Sequence, residues 1–404
     1  MDKKRKIKDF TRNFLTYSSA LITVLILLSI FIFVFNKGKG TISIAMLKND
    51  YWAENFSAEF PSNQNKSFEM PSDLKKGEVF SRKYGFSVID DKNTSKEKII
   101  VIERIEKDSI LNRANKTQSP GKKLQISPGD EIQKISFISS MGERKTAGML
   151  VGDTAKDMIL SIEDGSEINS MYFKSSSGGI YGSLKATFLL IFVSLLIALP
   201  VGVLSAIYLN EIAKENKLTN LLRNSIEMLS GVPSIIFGLV GMAILFPITL
   251  LFGATGPSIL LGSLTMSAVL LPVIIRQTEE ALIVVPDGLR NASLSLGATD
   301  TQTIFKVVLP RALPGILSAV LLSVSRIIGE SAALIYTTGT FVNDDPKLKE
   351  GATTLAVQIW SVMNGEQPNF ELASAISIVV LVIVLFLNIV FKLFSNRLSK
   401  KWSG

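Results

Sequence analysis

Arg326 and Glu330 stand in the stretch "SVSRIIGESAAL" (323–334), within a long apolar run. Ionisable side chains in a lipid-crossing segment cost roughly 2.5–3.5 kcal/mol each on insertion scales, so their presence asks for a reason. Four residues apart on one helix, the two would share a face. One chemistry is an ion pair that fixes helix packing. The other is a path for an anion: a planar guanidinium fork suits the oxygens of a tetrahedral oxyanion. A neighbouring glutamate would compensate the charge and keep the site from becoming a trap. A second group lies in "EEALIVVPDGLRNASLSLGATDTQTIFKVVLPRALPGI" (279–316), which is too polar to span a membrane. After Gly297, Thr299 or Asp300 offers a helix N-cap, and the short helix that follows carries Ile304 and Phe305 on an apolar patch expected to be exposed. Such a helix either lies in a membrane interface or docks a soluble partner.

The elements that must hold these residues are membrane helices. Of 404 residues, 47% are hydrophobic, too many for an ordinary soluble domain. Apolar runs long enough to cross a bilayer lie at about 14–35, 184–209, 230–252, 257–275, 313–339 and 373–394. The chain has no cysteine and no histidine. That removes disulfides, thiolate metal sites, Ser-His-Asp hydrolases and HExxH zinc proteases. An aspartyl intramembrane protease needs two intramembrane aspartates, and the six runs hold none. There is no G-x-x-x-x-G-K-[ST] loop, so the chain does not use ATP in that manner by itself. No cofactor and no nucleic acid are implied. The net charge of +8 belongs to basic edges facing membrane lipid, the head "MDKKRKIKDFTRN" and the tail "FKLFSNRLSKKWSG" among them.

By the positive-inside rule both termini are expected in the cytoplasm, with the first run an uncleaved anchor. Residues 210–229 and 276–312 then lie inside; 36–183 and 340–372 lie outside. Pro200, Pro233, Pro247 and Pro272 interrupt the spans. Broken helices are tolerated where backbone lines a cavity or is buried in protein, which suits a transport path better than a plain anchor.

Gly297, followed after nine residues by Val307 and then Leu309-Pro310, resembles the docking loop of ABC importer permeases. Asn291-Ala292-Ser293 stands where that family usually has Glu-Ala-Ala, so only the central alanine matches. "LSGVPSIIFGLVG" (229–241), "LSLGATDTQTIFKVVLPRALPGI" (294–316) and "RIIGESAALIYTTG" (326–339) are similar, in that order, to the A-type permeases of phosphate importers, the PstA family. The resemblance covers about 180–395. It implies a pore shared with a second permease subunit, a cytoplasmic ATPase dimer, and an extracytoplasmic phosphate-binding protein that delivers substrate. It implies that Asn291, Ala292, Gly297, Ala298, Ile304, Phe305, Leu309 and Pro310 couple to the ATPase, and that Arg326 and Glu330 line the substrate path.

The long segment before the second span is outside that resemblance. "YGFSVID", "KIIVIERI", "DEIQKISFI" and "DMILSIED" read as strands, with turn signals such as Ser127-Pro128-Gly129-Asp130 between them. Their order resembles a PDZ domain. That implies a groove for a peptide or protein tail, whose terminal carboxylate would be held by backbone amides near Tyr84, Gly85 and Phe86. The plainer alternative is a β-rich spacer. A fragment over about 78–172 is expected to fold alone.

The expected fold class is therefore an all-α polytopic membrane protein with six transmembrane helices and the type I ABC importer permease fold, carrying an inserted small α+β PDZ-like domain. Its expected parts are a basic head (1–13), a first span (14–35), an extracytoplasmic linker (36–79), the PDZ-like domain (80–172), a permease core (184–395) and a basic tail (396–404). The expected function is the permease subunit of an ATP-driven phosphate importer in a bacterial inner membrane, without enzymatic activity of its own. The alternatives are a permease for sulfate or molybdate, and a PDZ-bearing signalling or proteolysis-related membrane protein.

Overall fold

The structure, a computed structural model, describes residues 3–51, 55–60, 67–92, 98–116, 124, 126–175, 178–365 and 368–403. The chain divides into two compact units, Met1–Ile42 with Gly182–Gly404, and Ser43–Tyr181. Helix α1 (Lys3–Gly38) opens the first unit. The second holds α2 (Ile44–Lys48), β1 (Asn55–Glu59), β2 (Val79–Ser81), β3 (Phe86–Lys92), β4 (Lys98–Ile105), β5 (Asn115–Lys116), β6 (Glu131–Ser139), β7 (Arg144–Ala147), α3 (Ala155–Glu163) and β8 (Gly165–Lys174). The first unit resumes with α4 (Tyr181–Ile207), α5 (Lys217–Ser230), α6 (Ser234–Val240), α7 (Phe246–Leu251) and α8 (Ile259–Ile283). It continues through α9 (Asp287–Ser295), α10 (Asp300–Thr303), α11 (Leu309–Gly329), α12 (Ala332–Thr337), α13 (Leu355–Met363) and α14 (Phe370–Ser403).

Among the described residues, six helical stretches are long and apolar enough to cross a membrane: Thr11–Gly38, Tyr181–Ile212, Ser234–Leu251, Ile259–Ile283, Asp300–Gly329 and Phe370–Ser395. Helical backbone meets the need of a lipid-crossing segment for internal hydrogen bonds, interrupted at Pro200, Pro272 and Pro314, which have no amide to donate. The central one is α8, whose Met266, Leu270 and Ile274 are fully buried. Small residues let backbones approach it. A Cβ added at Gly202 of α4 would lie 2.6 Å from Ile274. Three π turns break the ladders, Tyr208–Ile212 after α4, Gly241–Leu245 between α6 and α7, and Ile304–Val308 before α11. The fifth span differs from the expected continuous run at 313–339. Helix α11 stops at Gly329, and α12 is a separate short helix.

The second unit is an eight-stranded sheet with order β2-β3-β4-β6-β8-β1-β5, and β7 pairs with β6. Alternation puts Ile135 and Phe137 of β6, and Met171 and Phe173 of β8, into one core with Phe86, Val88, Ile102 and the inner face of α3, and a register shift in β8 brings Ile168 to the same side. Helix α3 begins with a reciprocal capping box, Thr154 with Asp157, and Asp90 of β3 accepts a further hydrogen bond from the Ala155 amide at 2.8 Å. The turn read at 127–130 is present: Gly129 has φ +101°, and the Asp130 carboxylate accepts from the Ser127 amide at 2.9 Å.

The expected linker at 36–79 is not a linker throughout. Its residues 55–59 form β1, paired along its whole length with the last strand, Phe56 opposite Phe173 and Ala58 opposite Met171. Ala58 is completely buried there, and the Phe56 and Phe173 rings lie 5.6 Å apart. The two ends of this unit are joined. The amides of Gly178, Gly179 and Ile180 donate to the carbonyls of Tyr51, Asp50 and Met46 at 3.1, 3.1 and 2.9 Å. A fragment cut at 78–172 therefore loses β1 and leaves the edge of β8 unpaired, which invites self-association. The expected result is a cooperative thermal transition by circular dichroism for a 43–181 fragment and an earlier, aggregation-prone one for 78–172. Phe86→Ala in the longer fragment should cost about 3–5 kcal/mol of stability. Equal stability of the two fragments would contradict the role given to β1.

Candidate functional site

Arg326 lies three residues from the end of α11. Ser323, Val324, Ile327 and Ile328 face the helix packing and are buried. Leu322, one turn below Arg326, is half exposed, and a Cβ added at Gly329, one turn above, would meet nothing within 4 Å. Arg326 lies on the same side of α11 as these two open positions and is itself half-buried. It makes no hydrogen bond and no ion pair among the described residues.

Glu330 does not continue that face. It follows the last helical residue with φ −78° and ψ 125°, an extended conformation, and its amide donates to the Ile327 carbonyl at 3.2 Å. Its carboxylate accepts a hydrogen bond from the Ala333 amide at 3.3 Å, covering a donor at the start of α12. The expected i, i+4 geometry is therefore wrong. Gly329-Glu330-Ser331 is a stop-and-start signal, a glycine beside polar groups able to cap the next helix. Gly329 is not there to admit a close neighbour within this chain, since the space beside it is open. The close approach occurs elsewhere. A Cβ at Gly238 of α6 would lie 2.7 Å from the Ala333 carbonyl oxygen, so "LSGVPSIIFGLVG" packs backbone to backbone on the helix that follows the break.

Between α5 and α8 lies a cavity of about 340 Å³ lined by Arg223, Glu227, Pro272, Arg276, Gln277 and Glu279, among others. Arg223 reaches Glu279 at 3.6 Å, and Arg276 reaches Glu280 at 3.4 Å. Arg223 also donates to the Leu209 carbonyl at 2.7 Å, in the π turn that ends α4. Each of these charges stands alone in an amphipathic stretch, so no local pattern in the sequence brings them together.

The 284–308 loop is built by local signals. Pro286 starts α9, and Gly297 ends it with φ +85°, a left-handed conformation cheap only for glycine. The Gly297 and Ala298 amides donate back to Leu294 and Ser293 at 2.9 and 3.2 Å. Thr299 is the N-cap of α10, in a reciprocal box with Gln302. The Ser293 and Thr303 hydroxyls, 2.9 Å apart, tie α9 to α10. Asn291 and Ala292 are exposed on α9, and Leu309 and Pro310 begin α11, half-buried. One expectation fails here. Ile304 is only 5% exposed and packs with Ile207, Leu282, Val285 and Val308, so it anchors the loop. Phe305 is 45% exposed and Leu296 90%, and with Val284 and Leu294 they carry the free apolar surface of the loop. Reading the patch as consecutive residues missed this, since neighbours on a helical turn point about 100° apart.

Arg290 fixes the loop from behind. It grips Glu211 through Nη2 at 2.8 Å and Nε at 3.1 Å, and it donates to the Leu282 and Val285 carbonyls at 3.0 and 2.6 Å. The Glu211 carboxylate raises the Arg290 guanidinium above its ordinary range.

In the sheet unit, Gly85 has φ +72°, while the side chains of Tyr84 and Phe86 are in the core. The amides expected to hold a peptide carboxylate have partners already. The Tyr84 amide donates to the Ser81 hydroxyl at 3.3 Å, and the Gly85 amide to the Ser81 carbonyl at 3.0 Å. Phe68 covers the loop, 2.7 Å from where a Gly85 Cβ would stand. Strand β2 pairs with Phe86–Val88 along the edge expected to accept a peptide, and Ser81 bonds Glu163 of α3 at 2.8 Å. The expected peptide site is thus closed by the chain's own strand. Burial, with Glu163 and Glu167 nearby, pushes the Tyr84 phenol up to about 12.

Residues 198–403 match the family described as binding-protein-dependent transport system inner membrane component. The probable ABC transporter permease protein YqgI of Bacillus subtilis is 34% identical over 242 residues, 56% of this chain and 81% of the relative. A phosphate transport system permease protein PstA homolog of Mycoplasma pneumoniae is 36% identical over 228 residues, 54% of this chain and 35% of the relative. The phosphate transport system permease protein PstA 2 of Mycobacterium bovis is 32% identical over 231 residues, 56% of this chain and 75% of the relative.

Proposed function

The chain belongs to the family of binding-protein-dependent transport system inner membrane components, and on that premise we propose that it forms half of the pore of an ATP-driven importer of inorganic phosphate. It is a polytopic permease subunit and not an enzyme; ATP hydrolysis is carried by a separate chain. The observation that carries the anion reading is the half-buried guanidinium of Arg326, without a partner among the described residues, next to a helix break with open space at Gly329. A lone cation in lipid is costly, so that side of α11 meets water, a partner subunit or the transported ion. Phosphate is favoured among oxyanions because the relatives named for a substrate are phosphate transport proteins.

In this reading both termini and the 284–308 loop are cytoplasmic, and the 43–181 unit is extracytoplasmic. A second permease completes the pore across the Arg326 face. An ATPase dimer docks against Phe305 and Leu296, with Asn291, Ala292, Gly297, Ala298, Leu309 and Pro310 shaping the contact. A phosphate-binding protein delivers the ion, and alternating access moves it inward. Glu330 shapes the break as a cap.

The test is reconstitution of the chain with a second permease, the ATPase and the binding protein in lipid vesicles. ATP-dependent uptake of labelled phosphate, undiminished by a tenfold excess of sulfate or molybdate, is the expected result. Uptake of another oxyanion in preference to phosphate would replace the substrate and keep the permease.

A further inference from the structure

A guanidinium has five N–H groups, and Arg290 finds an acceptor for every one. Nε donates to Glu211 Oε2 at 3.1 Å, and Nη2 to Glu211 Oε1 at 2.8 Å and the Leu282 carbonyl at 3.0 Å. Nη1 donates to the Val285 carbonyl at 2.6 Å and Asp287 Oδ1 at 3.1 Å. The side chains of Arg290 and Glu211 are 18% and 8% exposed, a more enclosed pair than Arg223 with Glu279 at 36% and 14%. The acceptors come from four places: the π turn ending α4, the last turn of α8 at Leu282, the Val285 carbonyl just past that helix, and the first turn of α9. Carbonyls at a helix C-terminus have no partner in their own helix and favour a cation. One side chain on the loop therefore closes the ends of two spans at once.

We infer that Arg290 is a positioning residue that makes the 284–308 loop and the adjoining ends of α4 and α8 move as one body, so that displacement of the loop by the ATPase reaches the spans. The inference rests on the reading of this loop as the docking segment. Without the clamp, the loop keeps its own ties, Ile304 in the core and Ser293 on Thr303, and still presents Phe305. What is lost is the hydrogen-bonded tie to the end of α4, leaving only the apolar packing of Ile304 on Ile207. Lysine in its place keeps the charge but has three donors on one atom, and cannot serve Glu211 and two carbonyls from the same fork.

The native chain has no cysteine, so spin labels can be placed cleanly. Tyr208→Cys at the end of α4 and Ser295→Cys at the end of α9 are exposed positions for a labelled pair in the full reconstituted complex. With Arg290 present, the inter-label distance should be narrow and equal in the nucleotide-free and ATP-trapped states. In Arg290→Lys it should broaden, with the ATPase still copurifying and phosphate taken up per ATP hydrolysed falling about tenfold. Glu211→Gln, nearly the same size, should repeat that pattern and stands in if the lysine variant fails to reach the membrane. The inference is overturned by a distance in the unaltered clamp that changes between the two states. It is also overturned by variants whose uptake per ATP stays within about twofold, or by variants that lose the ATPase altogether, which would make the clamp only a support for folding the loop. Failure of the docking reading looks different: no ATPase would copurify even with Arg290 and Glu211 intact.

Discussion

Arg326→Gln is expected to abolish phosphate uptake while leaving the amount of chain in the membrane near normal. The two halves of that result separate a path residue from a packing residue. If Arg326 were half of a buried ion pair, removing it would strand a carboxylate at a cost of about 3–5 kcal/mol, and abundance would fall. In the structure there is no such pair. Glu330 lies beyond the helix end and serves the Ala333 amide instead. The charge removed has no protein partner to strand. What disappears is an ion-binding fork, worth about 1.5–3 kcal/mol per charge-assisted hydrogen bond, so loss of two such bonds lowers flux at least about a hundredfold. Arg326→Lys keeps the charge and should retain a small part of the flux. Labelled phosphate uptake beside immunoblot abundance decides the matter. Recovery of uptake in a double variant, Arg326→Gln with Glu330→Gln, would sink the path role, because only paired partners rescue each other.

Phe305→Asp is expected to leave the chain inserted and folded while separating it from its ATPase. Phe305 is half exposed beside the well-buried Ile304, so a carboxylate there stays in water and costs little in this subunit. In an apolar groove of a partner it would be a desolvated, unpaired charge, which costs several kcal/mol and removes binding. The ATPase should fail to copurify, and ATP-dependent uptake should vanish. Ile304→Asp supplies the contrast. Its side chain sits among Ile207, Leu282 and Val308, so the carboxylate would be buried in this chain and the protein should disappear from the membrane. Normal substrate-stimulated ATP hydrolysis in purified complexes carrying Phe305→Asp would rule out docking at this residue.

The spans were legible because hydrophobic length is a strong signal, and the Thr299 cap was legible because capping depends on a few adjacent residues. The break at Gly329 was not read, although "GES" carries it. Apolar residues continue on both sides, and hydropathy is blind to one missing turn. Ile304 and Phe305 were treated as one patch because amphipathicity over a segment of four helical residues followed by a π turn cannot be phased from sequence. The Arg290–Glu211 clamp joins positions 79 residues apart, and no local pattern reports such a pair. In the sheet unit β3, β4 and β6 were legible from alternation and turns, but "DMILSIED", read as a strand, is the amphipathic helix α3, and the strand beside it is β8, one step later. Strand β1 was hidden in a polar stretch, since its burial comes from a partner strand more than a hundred residues later.

The paired ends of the 43–181 unit bear on how such a chain can arise. Asp50 and Gly179 meet backbone to backbone, so the whole folded unit leaves the chain almost where it entered. Seen from the first and second spans, the connection is as narrow as a short hairpin, whatever is folded beyond it. A gene encoding a plain short-looped ancestor could therefore acquire this unit in one splice without any span having to shift or repack, and the same economy makes the position a natural port for grafting a foreign domain.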